Sequence, residues 1–125
     1  MKEAVLTNRG PKPIGPYSQA MKSNGFVFLS GQVALDPLSG DLVGSDVRQQ
    51  AERVLENLKE ILEAAGASLN HVVRTTVFLK DMNDFPAMNE VYGRYFVSAP
   101  PARSTVQVAR LPKDALVEID VIAAL

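Results

Sequence analysis

The chain contains no cysteine. Disulfides, thiol nucleophiles and thiolate metal sites are excluded together, and the composition fits a reducing compartment. Histidine is nearly absent too. His71 stands alone, so a histidine-based metal cluster within one chain is not expected. No stretch reaches the ~20 apolar residues that a spanning helix needs, and Met1 to Leu6 lacks the apolar run of a signal peptide. A basic excess is missing as well. Thirteen Lys and Arg face fourteen Asp and Glu, for a net charge of -1. General nucleic-acid binders usually carry surplus cations to replace counterions, so this balance argues against one. There is no glycine-rich phosphate loop, no dinucleotide fingerprint and no lysine in a Schiff-base context. The expectation is a soluble cytoplasmic protein that needs no cofactor or metal and does not engage a membrane.

What is present has the size of one domain, residues 1–125. A chain of this length buries roughly two-thirds of its unfolded surface, enough for one real core. The segment Gly10 to Tyr17 is rich in Gly and Pro and reads as irregular. Phe26 to Ser30, continuing towards Val33, reads as a strand, and Asp36 to Asp41 as a turn. Val47, Ala51, Val54, Leu55, Leu58, Ile61, Leu62 and Ala65 fall at helical spacing. Asp46 with Gln49 makes an N-terminal capping pair, and Gly66 a C-terminal stop. Val72 to Leu79 is β-branched and reads as a strand. A second helix starts after Asp84 and runs to about Phe96, with Pro86 in its first turn, where the missing N–H costs little. Strands Ser104 to Ala109 and Val117 to Ala123 follow, separated by a turn at Leu111 to Asp114.

This order predicts an α+β fold with both helices on one side of a mixed sheet. Two helices cover one face only. Alternation in Val72–Leu79 puts Val73, Thr75, Val77 and Leu79 on one face and Val72, Arg74, Thr76 and Phe78 on the other. Phe26 and Phe28 likewise oppose Val27 and Leu29. Both faces carry large apolar groups, so the second also needs burying. No residues remain to cover it, and a second subunit is the expected cover.

With Cys absent and His solitary, chemistry falls to Arg, acids, Tyr, hydroxyls, amides and backbone. Pro100-Pro101-Ala102-Arg103 delivers one arginine through a fixed turn to the start of a strand. Its planar fork suits a carboxylate or phosphate. The competing reading is an arginine paired with a surface acid. Arg110 and Arg74 read as surface groups, Arg74 with an interface as an alternative. Glu118 and Asp120 share one face of the last strand. They either face water or place a carboxylate on the oligomer-facing side, where Glu118 could hold a water or exchange protons. Ser30-Gly31-Gln32 closes a strand where a ligand can approach the backbone and a free N–H can bind an anion. Tyr17 and Asn89 are candidate donors whose bland alternatives are a half-buried ring and an exposed amide. His71 reads as surface.

Several segments, taken in order and spacing, resemble the reactive intermediate deaminase family, RidA, also called YjgF. They are Ile14 to Ala20, Ser30 to Gln32, Glu63 to Gly66, Thr75 to Asp81 and Asn83 to Phe85. The most specific is Pro101 to Ser104 through Val108 to Lys113 to Glu118-Ile119. The resemblance implies a chorismate-mutase-like fold and a homotrimer with clefts between subunits. It implies hydrolysis of 2-aminoacrylate and related enamine or imine acids, released by PLP enzymes such as threonine dehydratase, to 2-keto acids and ammonia. On that resemblance Arg103 grips the substrate carboxylate and Glu118 orients water, helped by the backbone carbonyl of Thr105. Ser30 and Gly31 line the carboxylate end, and Tyr17 and Asn89 shape the pocket. The chain departs from the family pattern at Pro100, where Phe is common, at Thr105, where Cys is common, and at Asp120, where Glu is frequent. A non-catalytic ligand-binding or chaperone-like trimer and an RNA-cleaving translation inhibitor are the competing readings.

Overall fold

A computed structural model describes residues Met1–Leu125. The strands are β1 (Lys2–Val5), β2 (Ala20–Ser23), β3 (Phe26–Gln32), β4 (Val72–Leu79), β5 (Ala102–Gln107) and β6 (Val117–Ala124). The helices are α1 (Val47–Ala64) and α2 (Phe85–Tyr95). All six strands form one sheet in the order β1-β2-β3-β6-β4-β5. Every neighbouring pair is antiparallel except β4 with β5. Both helices pack against one face, as the sequence pattern predicts, and the fold is α+β. No helix is long and apolar enough to cross a membrane.

The predicted apolar stripe of α1 is buried throughout. Leu55, Leu58, Ile61 and Leu62 are wholly inaccessible, and each such burial is worth about 1.5–3 kcal/mol. At the start of α1 the Asp46 side chain accepts from the Gln49 N–H at 2.9 Å. The Gln49 side chain reaches back to the Ser45 N–H at 2.8 Å, one residue earlier than a reciprocal capping box requires. Gly66 adopts φ +83 beyond the helix end, a conformation that costs glycine little. Three buried amides tie the layers together. Asn57 donates to the Leu35 carbonyl at 2.9 Å. Gln50 donates to Gly44 and accepts from the Leu116 N–H. Gln19 holds the Thr7 backbone from both sides and donates to the Pro11 carbonyl. That last clamp fixes the irregular segment predicted at Gly10–Tyr17, so Tyr17 projects from an anchored loop.

The structure corrects the sequence reading in three places. An N-terminal hairpin partner exists: β1 and β2 pair outside β3. Each has four residues and no β-branched run, so their strand character comes from the ladder, not from local propensity. In β4 the predicted faces hold from Thr75 to Leu79 but fail at the start. Val72 is buried and Val73 is exposed, because the register with β6 skips a residue between Val72 and Arg74. A bulge of this kind reverses the alternation on its far side. Finally, β5 begins at Ala102 and leaves the ladder after Gln107, two residues ahead of the predicted span.

The face away from the helices is open. Phe26 and Phe28 stand there 43% and 44% exposed, with Val106 at 43%, beside the half-buried Phe78 and Ile122 of the neighbouring strands. The sheet is apolar on both faces, as the alternation predicts.

Candidate active site

Arg103 is the second residue of β5 and lies opposite Thr75 of β4. Thr75 is buried under α2, so Arg103 points to the helix-covered side of the sheet. There Asn89 Oδ1 accepts a hydrogen bond from Nη1 at 2.8 Å. The guanidinium carbon lies 4.7 Å from the Tyr92 ring centroid and 5.3 Å from that of Phe85. None of the chain's three ion pairs includes Arg103. The reading of this residue as an arginine neutralised by a surface acid therefore fails. It is a cation fixed by an amide and two ring faces, and the Nε–Nη2 edge of its fork is not engaged by Asn89. Asn89 accepts this bond through its oxygen, so its NH₂ is not used in holding Arg103. Tyr92 was legible only as an inward, apolar position of the second helix with Met88, Val91, Tyr95 and Phe96, and Phe85 only as part of the segment Asn83 to Phe85. Nothing in their spacing announces a guanidinium above them.

Thr105 follows on the same side of β5, and its buried Oγ1 has no hydrogen-bond partner. The backbone is the more informative part. The Val108 N–H donates to the Leu79 carbonyl at 2.9 Å. In a parallel ladder successive residues direct their polar groups to alternate edges. Thr105 is odd where Val108 is even, so its carbonyl faces the outer edge of the sheet, where no strand pairs.

Glu118 lies elsewhere. It pairs with Phe78 on the open face, so the sheet itself separates it from Arg103 within one protomer. Its carboxylate lies across Gly31: a Cβ added to Gly31 would sit 2.9 Å from the Glu118 carboxyl carbon. The β3–β6 register is irregular between Leu29 and Gln32, and that irregularity brings Gly31 beneath the acid. Tyr17, Ile14, Lys113 and Pro112 complete a cleft of about 100 Å³ around Gly31 and Glu118. Lys113 and Asp114 both hold positive φ, 56° and 54°, which curls this turn against the cleft. Burial pushes the Glu118 carboxyl above its ordinary range, and the like charge of Asp120 adds to the effect. No ion pair offsets either cause. A half-buried, unpaired carboxylate of this kind is suited to accept a proton.

Both hydrogen-bond donors of Ser30 are engaged within the chain. Its N–H donates to the Gln19 carbonyl at 3.0 Å and its hydroxyl to the Ser18 carbonyl at 2.6 Å. Both donors are spent on the loop that carries Tyr17, so Ser30 supports the cleft and has no N–H to give an anion. The remaining candidates are structural. Arg74 donates to Ser104 Oγ at 2.7 Å on the open face. Arg110 pairs with Asp114 at 2.9 Å in water. His71 is exposed, and its Nδ1 accepts from the Ser68 N–H at 3.0 Å. The predicted site residues thus form two groups. Arg103, Asn89 and Thr105 gather at β5 and α2; Tyr17, Ser30, Gly31 and Glu118 gather at the β3–β6 end of the open face. No group of three or more potential metal ligands is clustered anywhere in the chain.

The comparisons with known proteins are extensive. The family model described as Endoribonuclease L-PSP matches residues 7–125. A RutC family protein of Pyrococcus horikoshii is 58% identical over 98% of this chain and 98% of its own length. The mouse protein named 2-iminobutanoate/2-iminopropanoate deaminase is 50% identical over 98% of this chain and 91% of its own. The crystal structure of RidA from an Antarctic Psychrobacter superposes with a TM-score of 0.95 at 44% identity, covering 98% of this chain and 99% of that one.

Proposed function

The chain belongs to the Endoribonuclease L-PSP family, the group that includes the RutC and RidA proteins, and from that premise we propose that it is a hydrolytic deaminase of small 2-imino acids. The reaction is R–C(=NH)–COO⁻ plus water giving R–CO–COO⁻ plus ammonia. The observation that carries the reading is Arg103, a fixed cation facing no acid of its own chain. The edge that Asn89 leaves unengaged clasps the substrate carboxylate in two charge-assisted bonds. Asn89 donates its NH₂ to the same ligand. Glu118 accepts a proton from water as the oxygen attacks the imine carbon, and the Thr105 carbonyl helps to orient that water. The imine is already electrophilic, so positioning does most of the work. The mouse relative's name states this activity, and the likeness extends along nearly the whole chain.

The two half-sites lie on opposite faces of one sheet, so a single copy cannot close around a substrate. A homotrimer supplies the missing wall: the open face and the β5 edge of one copy meet those of its neighbours, and the Arg103 half of one faces the Glu118 half of the next. The exposed Phe26, Phe28 and Val106 support this arrangement. Light scattering at micromolar concentration should give three times the 13.5 kDa of the chain. Phe28→Arg should release protomers and lose activity with them. A monomeric, fully active wild type would defeat the arrangement.

Direct assay is available. Threonine dehydratase coupled to this protein should form 2-oxobutanoate faster than the uncatalysed hydrolysis allows. No acceleration would refute the deaminase reading. Gly31→Ala offers a second check. The new methyl would displace the Glu118 carboxylate, and a displacement near 1 Å lowers turnover by about 10²-fold. RNA cleavage, which the family description names, fits this chain less well, since it has no basic excess and its one imidazole is exposed and bound to Ser68. Wild type and Arg103→Ala assayed on RNA separate that activity from contamination.

A further inference from the structure

Arg103 has to be held as well as present, and the groups that hold it extend one layer beyond the candidate site. Tyr92 lies on α2 one turn after Asn89, is 6% exposed and packs at 4.7 Å against Phe96. Its hydroxyl shares a buried 2.7 Å hydrogen bond with Thr75 Oγ1. Thr75 is the β4 residue directly opposite Arg103. The phenol is therefore tied at its tip to the strand that neighbours the arginine, and its ring face lies under the guanidinium.

We infer that Tyr92 is a positioning residue for Arg103, its ring, held by burial and by packing against Phe96, acting as a shelf that sets the plane of the guanidinium. The inference rests on the deaminase reading for its consequence, though not for the contact itself. The physical argument is one of degrees of freedom. An arginine side chain has four rotatable bonds, and Asn89 restrains only one nitrogen of its head. A two-point grip on a carboxylate requires the guanidinium plane to be fixed as well. A ring face does this, because the cation is drawn to the π surface and lies over it. A phenol that ionised would give a different contact. Here burial pushes the Tyr92 phenol up from its ordinary range, so the shelf stays neutral wherever the enzyme would work. The alternative is that Tyr92 is a core tyrosine of the α2 stripe and nothing more.

The test compares wild type, Tyr92→Leu, the double variant Tyr92→Phe with Thr75→Val, Arg103→Ala, and Arg103→Ala combined with Tyr92→Leu. The double variant keeps the ring and removes both hydroxyls together, so neither is left buried and unpaired. Binding of 2-oxobutanoate is measured by calorimetry, and the Arg103 Nε–H group is followed by NMR for its chemical shift and for rotation about the Nε–Cζ bond. Melting curves control for folding. Tyr92→Leu should weaken 2-oxobutanoate binding at least tenfold and speed the guanidinium rotation. The ring-preserving variant should recover most of both. In an Arg103→Ala background, Tyr92→Leu should cause no further loss of binding. Wild-type affinity and rotation in Tyr92→Leu would overturn the inference, as would a double variant as impaired as Tyr92→Leu, or losses that add to that of Arg103→Ala. If wild type itself failed to bind 2-oxobutanoate, the deaminase reading would fall, and the Nε–H measurement would decide the shelf on its own.

Discussion

Arg103→Ala should abolish imine hydrolysis while the protein melts and assembles as wild type does. The fork is expected to make two charge-assisted bonds, each worth about 1.5–3 kcal/mol. Their joint loss lowers kcat/KM by roughly 10²–10⁴-fold, since each 1.4 kcal/mol is tenfold. Folding should tolerate the change. The guanidinium lies over ring faces at the edge of the sheet and pairs with one amide, and truncation leaves no buried charge behind. Arg103→Lys is the sharper variant. It keeps the charge but replaces a planar fork by a point, so it should fail nearly as badly. Stopped-flow assays on enzymatically generated 2-iminobutanoate, with 2-oxobutanoate titrations alongside, measure both effects. A lysine variant with wild-type kcat/KM would show that charge alone suffices and that the fork geometry is irrelevant.

The second large effect is expected at Glu118. Glu118→Gln should lower kcat by about 10²–10⁴-fold, the usual contribution of a positioned proton acceptor. Affinity for 2-oxobutanoate should change little, because the arginine half is untouched. The same carboxylate predicts a pH profile. Its folded-state pKa is raised, by burial first and by Asp120 second, and the reaction needs the charged form. Activity should therefore fall as pH drops through that raised value, at a higher pH than an ordinary glutamate would give. Asp120→Asn removes the second cause and should move the acid limb downward. Stability follows from the same shift. A carboxyl with a folded-state pKa above its unfolded one destabilises the fold once pH exceeds the folded value, and the cost vanishes below the unfolded value. Glu118→Gln should thus melt higher than wild type at neutral pH and lose that advantage in acid. An acid limb unmoved by Asp120→Asn, with full activity in Glu118→Gln, would remove Glu118 from the mechanism.

Some of this was legible along the chain because it is periodic. The α1 stripe, its Asp46 cap and the Gly66 stop are local signals, and the helix lies where they put it. The double-sided apolar pattern of the strands similarly foretold an uncovered face. The N-terminal strand pair was not legible, because β1 and β2 are short and become strands only by pairing, β1 with β2 and β2 with β3. The bulge at Val72–Arg74 was equally hidden, since a skipped residue in a ladder depends on the partner strand. Ser30 shows the same limit at the site: nothing in Ser-Gly-Gln reveals that both Ser30 donors are already spent on the loop beside it.

By itself the sequence determined the α+β class, the two helices, the apolar second face and, through the Pro100–Ser104 turn, which arginine to examine. Those properties depend on near neighbours and on period. Only the tertiary structure decided that Arg103 faces α2 and stacks on Tyr92, that Glu118 lies on the other side of the sheet over Gly31, and that Ser30 has no donor left. Each of these depends on contacts between residues distant along the chain, where strand register and the packing of one helix choose the neighbours and no local pattern can encode them.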